Sequence, residues 1–101
     1  MQFFSYAAIL ALSSIAVSAT SINIFSGTAC ADDDFIKNFS ASAGCHKLQS
    51  GVKAFDVRTL SGKCTVTVYS DASCSDNAKG AGVDKCVSRS AGWKSYSVDG
   101  C

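Results

Sequence analysis

Thr65-Val66-Thr67-Val68-Tyr69 alternates polar and apolar side chains with a period of two, the pattern of a strand with one buried face. Its residues are β-branched or aromatic, types that suit a pleated, half-buried surface. Ser70-Asp71-Ala72-Ser73 then turns the chain, and Cys64 and Cys74 stand at the two ends of the stretch. The same pattern runs earlier through Ser21-Ile22-Asn23-Ile24-Phe25, followed by Ser26-Gly27-Thr28-Ala29 and Cys30. No segment sustains apolar spacing at i, i+3, i+4 beyond a single turn at Asp32–Phe39, for which Asp32 is the expected N-cap.

The two strands head two copies of one unit. Phe25 stands five positions before Cys30, and Tyr69 five positions before Cys74. From the second cysteines, Cys45 and Cys86, each copy reaches a glycine six residues on, Gly51 and Gly92. Gly51-Val52-Lys53-Ala54-Phe55-Asp56-Val57 then matches Gly92-Trp93-Lys94-Ser95-Tyr96-Ser97-Val98 at glycine, lysine, aromatic and valine. Chance explains so many shared offsets poorly, so an internal duplication is expected. Each copy should hold a first strand, a turn, a middle rich in small residues and a closing strand. Second strands are expected near Phe39-Ser40 and Ala81-Gly82-Val83. Proline is absent, so glycines must form the tight turns.

The first residues stand apart from this pattern. Phe3 to Val17 is an apolar run without a charge, and Val17-Ser18-Ala19 offers small residues for a signal peptidase. The run is shorter than a spanning helix needs and lacks basic flanks. Residues 1–19 are therefore read as a signal peptide cut after Ala19, with Ala16 or Ser18 as the alternatives. Residues 20–101 form one small β domain, secreted and without a membrane span in the mature chain.

Six cysteines change the energetics expected of that domain: Cys30, Cys45, Cys64, Cys74, Cys86 and Cys101. A domain this small buries little core, and cross-links usually supply the missing stability. Outside the cell an even count implies three disulfides, with fifteen pairings possible before geometry is considered. Nine basic and eight acidic residues give a net charge of +1, and no basic block exceeds a single residue. Strong attraction to nucleic acid or anionic lipid has no electrostatic basis in such a chain. Asp32-Asp33-Asp34 is the one charge run.

The repeat resembles the Greek-key motif of the βγ-crystallins: a strand ending in Tyr or Phe, four residues, an aromatic, one residue, then glycine. Phe25 and Tyr69 match the leading aromatic, Cys30 and Cys74 replace the second, and Asp32 and Asp76 replace the glycine. Phe55-Asp56-Val57 and Tyr96-Ser97-Val98 resemble the family's closing strand. The cysteine-for-aromatic exchange is similar to that of small secreted fungal proteins of the effector and killer-toxin type. The resemblance implies an all-β fold of two Greek-key motifs, about 21–62 and about 63–101, packed as a sandwich braced by three disulfides. It also implies a disulfide map: Cys30–Cys45 and Cys74–Cys86 within the copies, and Cys64–Cys101 between them. Its calcium motif, Asn/Asp-Asn/Asp, two residues, Ser/Thr, Ser, is missing from Leu48–Lys53 and from Ser88–Trp93, so no calcium is expected there.

Candidate chemistry is sparse. His46 is the single histidine, and with the cysteines committed to disulfides it has no thiol to activate. No Cys-x-x-Cys occurs, so no zinc site is expected. Glutamate is absent, and Asp32 to Asp34, Asp71 and Asp76 fall in turns where Asp is favoured anyway. A non-enzyme with no cofactor or metal follows. Asn38-Phe39-Ser40 is a glycosylation sequon. Trp93 reads first as a core ring and secondly as an exposed anchor flanked by Arg89 and Lys94.

The function expected from these readings is a monomeric secreted effector that binds and blocks an extracellular host protein. A papain-like cysteine protease is the most concrete target, because the resemblance extends to small secreted inhibitors. Candidate contact loops are Asp32 to Asn38, with Asp32, Asp33, Asp34 and Lys37, and Ser88 to Lys94, with Arg89, Trp93 and Lys94. The alternatives are a killer-toxin-like antimicrobial protein and a structural cell-wall protein.

Overall fold

The computed structural model describes residues 20–101, so the expected signal peptide lies outside the described residues. Among the described residues eight strands run in chain order: β1 (Ser21–Phe25), β2 (Phe35–Ser40), β3 (Gly44–Lys47), β4 (Ala54–Thr59), β5 (Thr65–Tyr69), β6 (Lys79–Ala81), β7 (Cys86–Ser88) and β8 (Ser95–Asp99). They form two four-stranded antiparallel sheets, ordered β2-β1-β4-β7 and β3-β8-β5-β6. Period-2 alternation decides which side chains meet between the sheets. Ile22, Ile24, Phe55 and Val57 come from one sheet and Val66, Val68, Tyr96 and Val98 from the other.

The duplication is written into the backbone. Cys30 and Cys74 share a left-handed conformation, with φ of 53° and 57°, and so do Gly51 and Gly92, with φ of 89° and 93°. The Ser26 N–H donates to the Asp34 carbonyl at 2.8 Å, and the Ser70 N–H to the Asp76 carbonyl at 2.9 Å. The turn of the first half is thus two residues longer. That extra length forms a 3-10 turn, Asp32–Asp34.

Each half has four strands where the sequence suggested three, and the third of them leaves home. β3, from the first half, pairs with β8, while β7, from the second half, pairs with β4. Both are short and largely exposed, so hydrophobic patterning leaves them unmarked. Within each half the fourth strand lies beside the first, β4 on β1 and β8 on β5.

This exchange overturns the expected disulfide map. The bonds are Cys30–Cys86, Cys45–Cys74 and Cys64–Cys101. Cys45 and Cys86 ride on the strands that crossed over, so each meets the turn cysteine of the opposite half. Only the Cys64–Cys101 pair matches the resemblance, and it lies within the second half rather than linking the copies. All three bridges join the first half to the second or tie the second half's two ends.

Other local expectations also shift. Asp32 does not cap the acidic turn: Ala31 is its N-cap residue and makes no side-chain cap bond. The expected helical turn at Asp32–Phe39 gives way at Phe35, because Phe35 to Ser40 pair with β1. In the second half the strand ends at Ala81, and Val83 makes only an isolated parallel bridge to Val57.

Candidate functional site

Two equivalent loops, 48–53 and 89–94, meet at one end of the sandwich. The Leu48 N–H donates to the Lys94 carbonyl and the Arg89 N–H to the Lys53 carbonyl, both at 2.9 Å. These bonds are reciprocal, as contacts across a two-fold axis are. The Trp93 N–H donates to the Val52 carbonyl at 2.8 Å, at the centre of the arrangement. Glycine is required beside it: a Cβ on Gly92 would stand 3.2 Å from the Val52 carbonyl oxygen, and its φ of +93° disfavours any other residue. The Lys53 N–H donates to the Phe25 carbonyl at 2.9 Å, which places the acidic turn near the same end. The nominated loop 88–94 therefore bonds Lys53 directly, and the acidic turn reaches the same end through the strand that carries Phe25.

A cleft of about 270 Å³ lies between the paired loops, lined by Lys47, Leu48, Val52, Lys53, Trp93 and Lys94 among others. A second cleft of about 380 Å³ adjoins it through Lys47, Leu48 and Gln49. It opens between β2 and β3, the outer strands of the two sheets, and Lys37, Phe39, His46 and Tyr96 line it. Together the two clefts present Lys37, Lys47, Lys53 and Lys94 and no aspartate. Both ion pairs among the described residues are made elsewhere, by Arg58 with Asp56 and Asp84.

The nominated side chains divide between these surfaces. Lys94 lines the first cleft and Lys37 the second. Arg89 donates from Nη1 to the Gly92 carbonyl at 3.1 Å and so braces its own loop. Trp93 is 4 % exposed, with Nε1 donating to the Val87 carbonyl at 3.1 Å, so the exposed-anchor reading fails. The ring fills the core position that Val52 fills in the other half. Asp32 and Asp33 are exposed, and Asp34 is half-buried beside Ser26. Asn38 is exposed on the outer face of β2, its Nδ2 donating to Asn23 Oδ1 at 2.7 Å.

The remaining polar groups have structural partners. His46 Nε2 lies 2.9 Å from the Ser42 carbonyl and 3.1 Å from that of Ala43, which assigns its proton to Nε2. Its ring rests against Tyr96, with centroids 5.2 Å apart. Burial pushes the Tyr96 phenol above its ordinary pKa. Cys30, Cys45, Cys64, Cys74, Cys86 and Cys101 are all bonded, which leaves no thiol nucleophile among the described residues. Nor do three His, Cys or Asp side chains among them group closely enough to hold a metal ion. What the site offers is a braced, basic, apolar-floored surface suited to binding.

Sequence reading missed Lys47 and Lys53. The repeat itself carried the signal for one of them, because Lys53 is the counterpart of Lys94. No family model, curated protein or solved structure matches the chain.

Proposed function

We propose that this protein is a secreted, non-enzymatic binding module that blocks an extracellular host protein, most concretely a papain-like cysteine protease. The observation that carries this reading is the convergence of loops 48–53 and 89–94 on reciprocal backbone bonds. Loops already ordered in the free protein lose little conformational freedom on binding. A segment held in place by hydrogen bonds also resists the local unfolding that cleavage requires. The three disulfides support placement outside the cell, where such bonds persist. The fourth-beside-first strand order supports the βγ-crystallin-like, Greek-key reading of each half.

Titration of active-site-calibrated papain with the purified oxidised protein tests the proposal. Residual activity should fall linearly to a break at one inhibitor per enzyme. The paired substitution Lys53→Glu with Lys94→Glu, on both loops, should weaken inhibition without changing the disulfides. Full protease activity at large molar excess of intact protein would overturn the protease assignment.

A further inference from the structure

Among the described residues β2 is an outer strand, hydrogen-bonded to β1 on one side only. Such an edge invites a further strand from another chain. Lys37 sits opposite Ile24, and Phe39 opposite Ile22, in the register with β1. Both isoleucines are fully buried, so Lys37 and Phe39 lie on the inner face of β2. Their side chains line the second cleft with His46, Lys47, Leu48 and Tyr96. The Lys37 ammonium stands 6.0 Å from the centre of the Phe39 ring, within cation–π range.

An inward-pointing charge on an edge strand ordinarily discourages pairing, because the added strand would bury it without a partner. The penalty depends on what arrives. A neutral or basic strand would leave the Lys37 ammonium unpaired, and Lys47 at the same cleft would add to the repulsion. An acidic side chain facing inward would meet both cations, which are exposed and so favour it by the modest amount of a solvent-facing pair. No aspartate lines either cleft to compete for them.

We propose that the β2 edge is a docking site for an extended acidic segment of a partner protein, with Lys37 as the residue that selects for acidity. The segment adds as a strand along Phe35–Ser40 and turns one carboxylate inward to Lys37 and Lys47, between apolar neighbours that rest on Phe39 and Leu48. The proposal deepens the binding-module reading and rests on it. It does not require that the partner be a protease.

The test uses three synthetic heptapeptides of alternating threonine and valine whose central valine is replaced by aspartate, asparagine or lysine. Titrated into ¹⁵N-labelled protein, the aspartate peptide should shift amide signals of residues 35–40 and 46–49. It should bind about fivefold more tightly than the asparagine peptide, the scale on which one opposite-charge cross-strand pair acts. The lysine peptide should bind more weakly still, and added salt should compress the differences. Lys37→Ala should narrow the differences, and Lys37→Glu with Lys47→Glu should invert the order, each with an otherwise unchanged spectrum. Equal affinities, no binding at millimolar peptide, or shifts confined to the loops around Gly51 and Gly92 would overturn the proposal. Loss of papain inhibition with peptide selection intact would remove the protease assignment alone.

Discussion

Asp71 illustrates how a single half-buried carboxylate organises a turn. It accepts the N–H groups of Ser73, Ser75 and Asp76 at 3.1, 2.9 and 2.8 Å, and the Ser75 hydroxyl at 2.8 Å. The Asp76 N–H, followed by that of Ser75, holds the carboxyl well below the usual carboxylate range. A folded-state pKa below the unfolded value contributes stability that is present above the ordinary value of 3.8 and lost as pH falls below it. Asp71→Asn should therefore lower the melting temperature at neutral pH and flatten its decline below pH 4 (about the ordinary value) relative to the parent. Parallel melting profiles for the two proteins across that range would contradict this role. Reading Asp71 as a turn residue needed only the sequence, since Asp favours turns. Trp93 was harder. Its alignment with Val52 points to the core, its basic neighbours suggest a surface, and its burial with the Nε1 bond to Val87 decides between them.

At the scale of strands, the alternating elements were legible and the crossing ones were not. β1, β5 and the closing strands β4 and β8 carry period-2 apolar residues, and all four form where that pattern places them. β3 and β7 have three or four residues with little burial, and their place is decided by backbone pairing with the opposite half. Hydrophobic spacing carries no trace of such pairing, and the resemblance, which implies Cys30–Cys45 and Cys74–Cys86 within each half, does not supply it. The corrected bridges differ in the chain they close. Cys30–Cys86 spans 56 positions and Cys45–Cys74 spans 29. Each near-doubling of a loop adds about 0.6 kcal/mol to the entropy a cross-link removes from the unfolded chain. Replacing Cys30 and Cys86 by serine should cost about 2–4 kcal/mol, and slightly more than the same change at Cys45 and Cys74. Urea denaturation of the two double variants measures the difference. A larger loss for the Cys45 and Cys74 variant would mean that native-state packing, rather than loop length, governs the bridges.

For the whole molecule, duplication followed by exchange of the third strands yields an interlocked pair of halves. Neither sheet is complete without a strand from the other half, and the bridges Cys30–Cys86 and Cys45–Cys74 fasten both crossings. The same exchange closes loops 48–53 and 89–94 on each other and leaves the edges of β2 and β3 open beside a basic cleft. Sequence indicates which loops to consider, but their convergence depends on contacts between residues far apart in the chain, as for Leu48 and Lys94. Interlocking is thus the claim on which the binding surface depends. Peptide mapping of the unreduced protein after trypsin and chymotrypsin tests it most directly, because cuts at Lys37, Tyr69 and Lys85 separate the relevant cysteines. Recovery of Cys30 joined to Cys86 and of Cys45 joined to Cys74 is the predicted result. Recovery of Cys30 joined to Cys45, with Cys74 joined to Cys86, would contradict it.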